Sequence, residues 1–135
     1  MTQGGLPPPP SKAILIVDDD EATLNLVSTF LRRNQFKVIA ATNPVRALEL
    51  AASENISLVI TDLMMPHVDG ISLTQQIHAL PGLKDVPVIL MTAFGTDEVS
   101  ESGLRRGVAL TLHKPIELSR LLDLVGFATA EPPRS

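Results

Sequence analysis

The sequence predicts an α/β fold, a doubly wound five-stranded parallel sheet in the order 2-1-3-4-5 with five helices on its two faces. Three observations predict it. Short apolar runs bounded by turn-forming residues alternate with longer stretches of helical period. The runs are continuously apolar rather than alternating, as strands buried on both faces are. The first and third runs stop on aspartates, at the strand ends where such sheets place their ligands.

The elements follow in order. Ala13–Val17 is the first strand and halts at Asp18, Asp19 and Asp20. A helix follows, with Leu24, Val27 and Leu31 on one stripe and Ala22, Leu26 and Phe30 on another. Phe36–Ala41 reads as the second strand. Asn43 and Pro44 open the second helix, an amide cap followed by proline at the first helical position. Leu48, Ala51 and Ala52 give that helix its inner face. Leu58–Thr61 is the third strand and ends at Asp62. Asp69-Gly70 reads as a turn, and Leu73, Ile77 and Leu80 mark the third helix. Val86–Met91 is the fourth strand, with Pro87 tolerated near its start. Thr96 or Asp97 opens a fourth helix with a thin apolar stripe. Val108–Leu112 is the fifth strand, and the last helix begins at Ile116, with Leu118, Leu121, Leu122 and Val125 inward.

The chain's 135 residues are the size of one domain, and 44% apolar content suffices for one continuous core. A net charge of −4 and no long basic stripe argue against nucleic acid as a partner. The absence of cysteine excludes disulfides, thiolate metal sites and cysteine nucleophiles. No apolar stretch approaches a membrane span and no signal peptide is read, so the protein is expected to be soluble and cytoplasmic. The four prolines Pro7 to Pro10 mark residues 1–11 as a flexible tail, and residues 129–135, with Pro132 and Pro133, read as a second. The domain is expected at residues 12–128.

In this topology Asp18, Asp19 and Asp62 converge on one crevice. Three clustered carboxylates repel unless a cation joins them, and a hard divalent ion such as Mg²⁺ suits oxygen ligands. A carboxylate can itself be a nucleophile and form an aspartyl phosphate. Phosphoryl transfer then needs a metal and a fixed cation more than a base. Lys114, after the fifth strand, supplies the cation, and Thr92, ending the fourth, supplies a hydroxyl on the same rim. Singly, each has a plainer reading: Asp18 and Asp19 as turn residues, Asp20 as a helix cap, Lys114 as a solvated lysine. His67, His78 and His113 lack metal-ligand spacing and are read as structural or surface residues.

The segments Ile14-Leu15-Ile16-Val17-Asp18-Asp19-Asp20 and Asp62-Leu63-Met64-Met65-Pro66-His67-Val68-Asp69-Gly70, with Met91-Thr92-Ala93 and Lys114-Pro115, carry a resemblance. Together they resemble the receiver domain of two-component response regulators, over roughly residues 12–128. The resemblance implies a flavodoxin-like fold with Asp62 as phosphoacceptor. It implies Mg²⁺ (or Mn²⁺) held by Asp18, Asp19, Asp62 and the backbone carbonyl of Met64. It implies that Thr92 and Lys114 contact the phosphoryl oxygens, and that the bond to Pro115 is often cis. The phosphoryl group would come from a histidine kinase or phosphotransfer protein, or sometimes a small donor such as acetyl phosphate. The fourth helix, fifth strand and fifth helix would form the readout face and a possible homodimer surface, with the output partner unknown.

The chain departs from that family three residues before the lysine, where Thr111 replaces an aromatic residue. With no Tyr or Trp in the chain, the output face is expected to shift less on phosphorylation. Met64 and Phe94 flank the site, and both are expected to slow water attack on the aspartyl phosphate. A haloacid dehalogenase-type phosphatase is an enzyme alternative, but Ala22 stands where that family places Thr or Val. A receiver-like interaction module that needs no phosphorylation is another. A flavodoxin-type cofactor binder would need a glycine loop after the first strand, which is absent. No helix-turn-helix, cyclase or kinase pattern follows residue 128, so the chain is expected to be a stand-alone receiver or a piece of a longer protein.

Overall fold

The computed structural model describes residues 12–66, 68–93 and 110–129. Its strands are β1 (Ala13–Val17), β2 (Val38–Ala41), β3 (Ile56–Asp62), β4 (Val88–Thr92) and β5 (Leu110–His113). Its helices are α1 (Glu21–Arg33), α2 (Pro44–Ser53), α3 (Gly70–His78) and α4 (Leu118–Thr129). All pairings are parallel, in the order β2-β1-β3-β4-β5, as the alternation of runs predicts. The fourth helix expected from Thr96 or Asp97, and the Val108 and Ala109 start of the fifth strand, lie outside the described residues.

Strand side chains alternate between two cores. Leu15, Val17, Val59, Val88 and Leu90 pack on one face with Ala47 and Ala51 of α2 and Leu73 and Ile77 of α3. Ile14, Ile16, Leu58, Ile60, Ile89, Met91 and Leu112 pack on the other with Leu24, Val27 and Leu31 of α1 and Leu121 and Val125 of α4. Continuous apolar runs therefore mean a sheet covered on both sides. Only one of the two stripes read on α1 is buried. Ala22 and Leu26 are exposed and Phe30 is half-buried, because a helix lying on a sheet turns one face inward. With Asn25, Thr29, Arg33 and Leu118, these three residues line an open, largely apolar groove.

Local chemistry fixes the boundaries. Asp20 caps α1, accepting from the Thr23 N–H at 3.3 Å, and Asn43 caps α2, accepting from the Arg46 N–H at 2.8 Å. Strand β2 begins two residues later than read, since Gln35 at φ 73° and the Phe36 N–H, donating to the Leu31 carbonyl, close the end of α1. Strand β4 begins at Val88 because Val86 closes a turn onto Leu83, leaving Pro87 to contribute only its carbonyl, to the Val59 N–H. Asp69-Gly70 is not a free turn. Asp69 caps α3, accepting from the Ser72 N–H at 2.7 Å, and Gly70 is the first helical residue. Helix α4 starts two residues after the expected Ile116, with the Leu121 N–H bonded to the Glu117 carbonyl in its first turn.

Candidate functional site

Strands β1, β3, β4 and β5 run parallel, so their carboxyl ends share one edge of the sheet. Asp18 follows β1 directly and is fully buried, with 0% exposure. Its Oδ1 accepts from the Asp20 N–H at 2.9 Å, and its own N–H donates to the Ala41 carbonyl of β2 at 3.2 Å. Asp19 faces solvent. Asp62 ends β3 opposite Met91 in the ladder and is 7% exposed. Carboxylate oxygens of Asp18, Asp19 and Asp62 lie within 4.8 Å of one another.

Lys114 directly follows β5, the outermost strand, and reaches this cluster along the shared edge. Its Nζ lies 2.9 Å from Asp18 Oδ2 and 3.3 Å from Asp62 Oδ2. Its backbone N–H donates to the Thr92 carbonyl at 2.8 Å, and the Lys114–Pro115 bond is cis. Thr92 is buried at the end of β4, beside the β5 end that leads to Lys114. Met64 lies two residues past Asp62 and is 59% exposed. Thr111 is half-buried in β5, paired with Leu90. Phe94 and His67 lie outside the described residues. Neither remaining histidine joins the cluster as a ligand: His78 Nε2 bonds the Val86 carbonyl at 2.8 Å, and His113 is exposed on β5.

The electrostatics follow from this crowding. Burial pushes the Asp62 carboxyl above the usual range and the neighbouring Asp18 charge pushes it further, while Lys114 offsets only part of the rise. Burial pulls Lys114 down, but its hydrogen bond to Asp18 and the charges of Asp18 and Asp62 hold it above the ordinary lysine value. One ammonium thus serves two buried carboxylates, with a third carboxylate at the rim. Such a donor set fits a hard divalent cation with oxygen ligands, which would remove the repulsion that raises Asp62.

Two contacts had no signal in the sequence. Lys114 bonds Asp18 more closely than Asp62, although 96 residues separate the pair. Thr61, read only as strand, donates its hydroxyl to the Asp62 carbonyl at 3.1 Å.

The profile of the response regulator receiver domain family matches residues 14–126. The chain belongs to this family. This receiver domain is 36% identical over 104 residues to the two-component response regulator ORR5 of Oryza sativa, covering 74% of this chain and 78% of the relative. It superposes on the receiver domain of the Francisella response regulator 1452 with a TM-score of 0.80 at 28% identity, covering 88% of this chain and 97% of the other. A response regulator from Burkholderia pseudomallei, solved with a phosphorylated aspartic acid, a calcium ion and citrate, gives a TM-score of 0.75 at 25% identity, covering 83% of this chain and 65% of the other. Among the described residues, no helix of the receiver is long and apolar enough to cross a membrane.

Proposed function

We propose that this receiver is a phosphorylation switch in which Asp62 accepts a phosphoryl group from a phosphohistidine of a histidine kinase or phosphotransfer protein. The observation that carries the reading is the placement of Lys114 Nζ within 3.3 Å of carboxylate oxygens of both Asp18 and Asp62, in a cluster with Asp19. In the transfer, a carboxylate oxygen of Asp62 attacks phosphorus and an oxygen–phosphorus bond forms. The nitrogen–phosphorus bond breaks, and the imidazole leaves with that electron pair. Asp18, Asp19, Asp62 and the backbone carbonyl of Met64 would hold Mg²⁺, or Mn²⁺, which when bound supplies positive charge for the peripheral phosphoryl oxygens. Lys114 supplies the fixed cation on the other side. The Thr92 hydroxyl, on the adjacent strand end, bonds a phosphoryl oxygen once it is present.

The product is a signalling state and not a released compound, so the domain acts as a phosphoacceptor and not as a turnover enzyme. The phosphoryl group biases a two-state equilibrium through contacts made in one state only. The output surface would include β5 and α4 and would meet a partner protein, a partner domain or a second copy. Residues 12–128 are the working unit in this reading, and its place is the cytoplasm.

Intact mass after incubation with Mg²⁺ and acetyl phosphate, beside Asp62→Asn, tests the proposal. One added phosphoryl group, lost without Mg²⁺ and in the variant, is the expected result. No gain with acetyl phosphate or with a phosphohistidine donor would move the weight to an interaction module that works without phosphorylation.

A further inference from the structure

Helix α3 begins unusually close to the end of β3. A Cβ placed on Gly70 would lie 2.3 Å from the carbonyl oxygen of Asp62 and 2.8 Å from Leu90 Cδ1. Real Cβ atoms do not come within 3.0 Å of other atoms, and the nearer neighbour here is backbone. Gly70 is also held from two other directions. Its N–H donates to the Leu63 carbonyl at 2.8 Å, and its carbonyl accepts from the buried Thr74 hydroxyl at 2.7 Å. The Asp62 carbonyl meanwhile accepts from the Thr61 hydroxyl at 3.1 Å, and the Leu63 N–H is bound to the Met91 carbonyl at 2.8 Å. The end of β3 is thus clasped between its neighbour strand and the first residue of α3.

We infer that Gly70 is a positioning residue for Asp62: its bare Cα lets the first turn of α3 back the Asp62 main chain and fix the loop that carries Met64. This rests on the reading of Asp62 and its neighbours as a metal-dependent phosphoacceptor site. A methyl group at this position must open the gap by most of an ångström. Either Asp62 moves relative to Asp18 and Lys114, or α3 retreats and slackens its hold on the Leu63 carbonyl, next to Met64. Both displace proposed ligand atoms while leaving the sheet and the four carboxylate and ammonium side chains chemically intact.

The test is calorimetric titration of Mg²⁺ into the full chain and its variants, with folding checked by far-UV circular dichroism. Gly70→Ala is expected to bind Mg²⁺ about tenfold more weakly, since losing the groups that orient metal ligands costs roughly 10–100-fold in affinity. The amide resonances of its Asp62 and Leu63 should move even without metal. Ile77→Val loosens the same helix elsewhere, so it should lower the melting temperature and leave the affinity unchanged. Gly70→Ala with Leu90→Ala should remain weak, because the clash with the Asp62 carbonyl persists. Wild-type affinity in Gly70→Ala, or its recovery in the double variant, overturns the inference. Should Gly70→Ala not fold, Thr74→Val removes only the hydroxyl that seats Gly70. It should weaken binding in the same direction but by less, because the Thr74 hydroxyl orients Gly70 and not a ligand, and an unchanged affinity there also overturns the inference. Failure of the wild-type chain to bind Mg²⁺ defeats the reading of the site itself, and that result appears before any variant is compared.

Discussion

Lys114 Nζ lies 2.9 Å from Asp18 Oδ2, joining the end of β5 to the end of β1 across a sheet in which β3 and β4 stand between them. With Asp62 Oδ2 a further 3.3 Å contact, the lysine neutralises part of a buried acidic pair. Removing one partner of such an ion pair leaves an uncompensated buried charge, which costs more than the pair contributes.

Lys114→Met should therefore destabilise the metal-free protein by roughly 3 kcal/mol, measured by urea denaturation at pH 7. Added Mg²⁺ should restore part of the loss by occupying the cluster. Because folding raises the lysine pKa, its stabilising contribution is complete below the ordinary lysine value of about 10.4 and fades as pH rises through the folded value. The wild type should lose stability in that alkaline window and the variant should lose less. Parallel curves above pH 10 would contradict the assignment.

Asp62→Asn should stabilise the metal-free protein at pH 7. Burial and Asp18 raise the Asp62 pKa, so folding favours its protonated form. Stability linked to Asp62 is thus fully present below the unfolded carboxylate value of about 3.9 and is lost as pH rises through the folded value. The advantage of the variant should appear at neutral pH and vanish as pH falls below about 4. Saturating Mg²⁺ should reverse the ranking, since the wild type gains a ligand-bound state. Thermal melts at several pH values, with and without Mg²⁺, decide it.

Met64 places an exposed apolar side chain two residues past Asp62. It is expected to screen the aspartyl phosphate from water, so that Met64→Asn shortens the phosphoprotein lifetime several-fold. Decay of the phosphorylated mass after donor removal measures this. Equal lifetimes would show that water reaches the site by another route.

Thr111 occupies a half-buried place on β5 opposite Leu90, with no ring available to swing between core and surface. Amide chemical shifts with and without a phosphoryl mimic should change strongly at Asp62 and Thr92 and modestly beyond them. Large changes throughout residues 97–112 would show full coupling without an aromatic lever.

The sheet was legible in the sequence because a strand covered on both faces needs a continuously apolar run. Such runs as Ala13–Val17 cannot be amphipathic helix. The candidate site was legible because parallel strands deliver Asp18, Asp62, Thr92 and Lys114 to one edge, whatever their separation along the chain. Asn43 and Pro44 announced α2 through local chemistry alone, a cap and a fixed φ. Tertiary structure decided what depends on two distant segments meeting. It chose which stripe of α1 faces the sheet. It also gave Lys114 its closest contact with Asp18. Asp69-Gly70 reads locally as a turn. Only the return of α3 onto the Asp62 carbonyl makes Gly70 a place where no side chain fits, since sequence period records which face is apolar but not how near two backbones come.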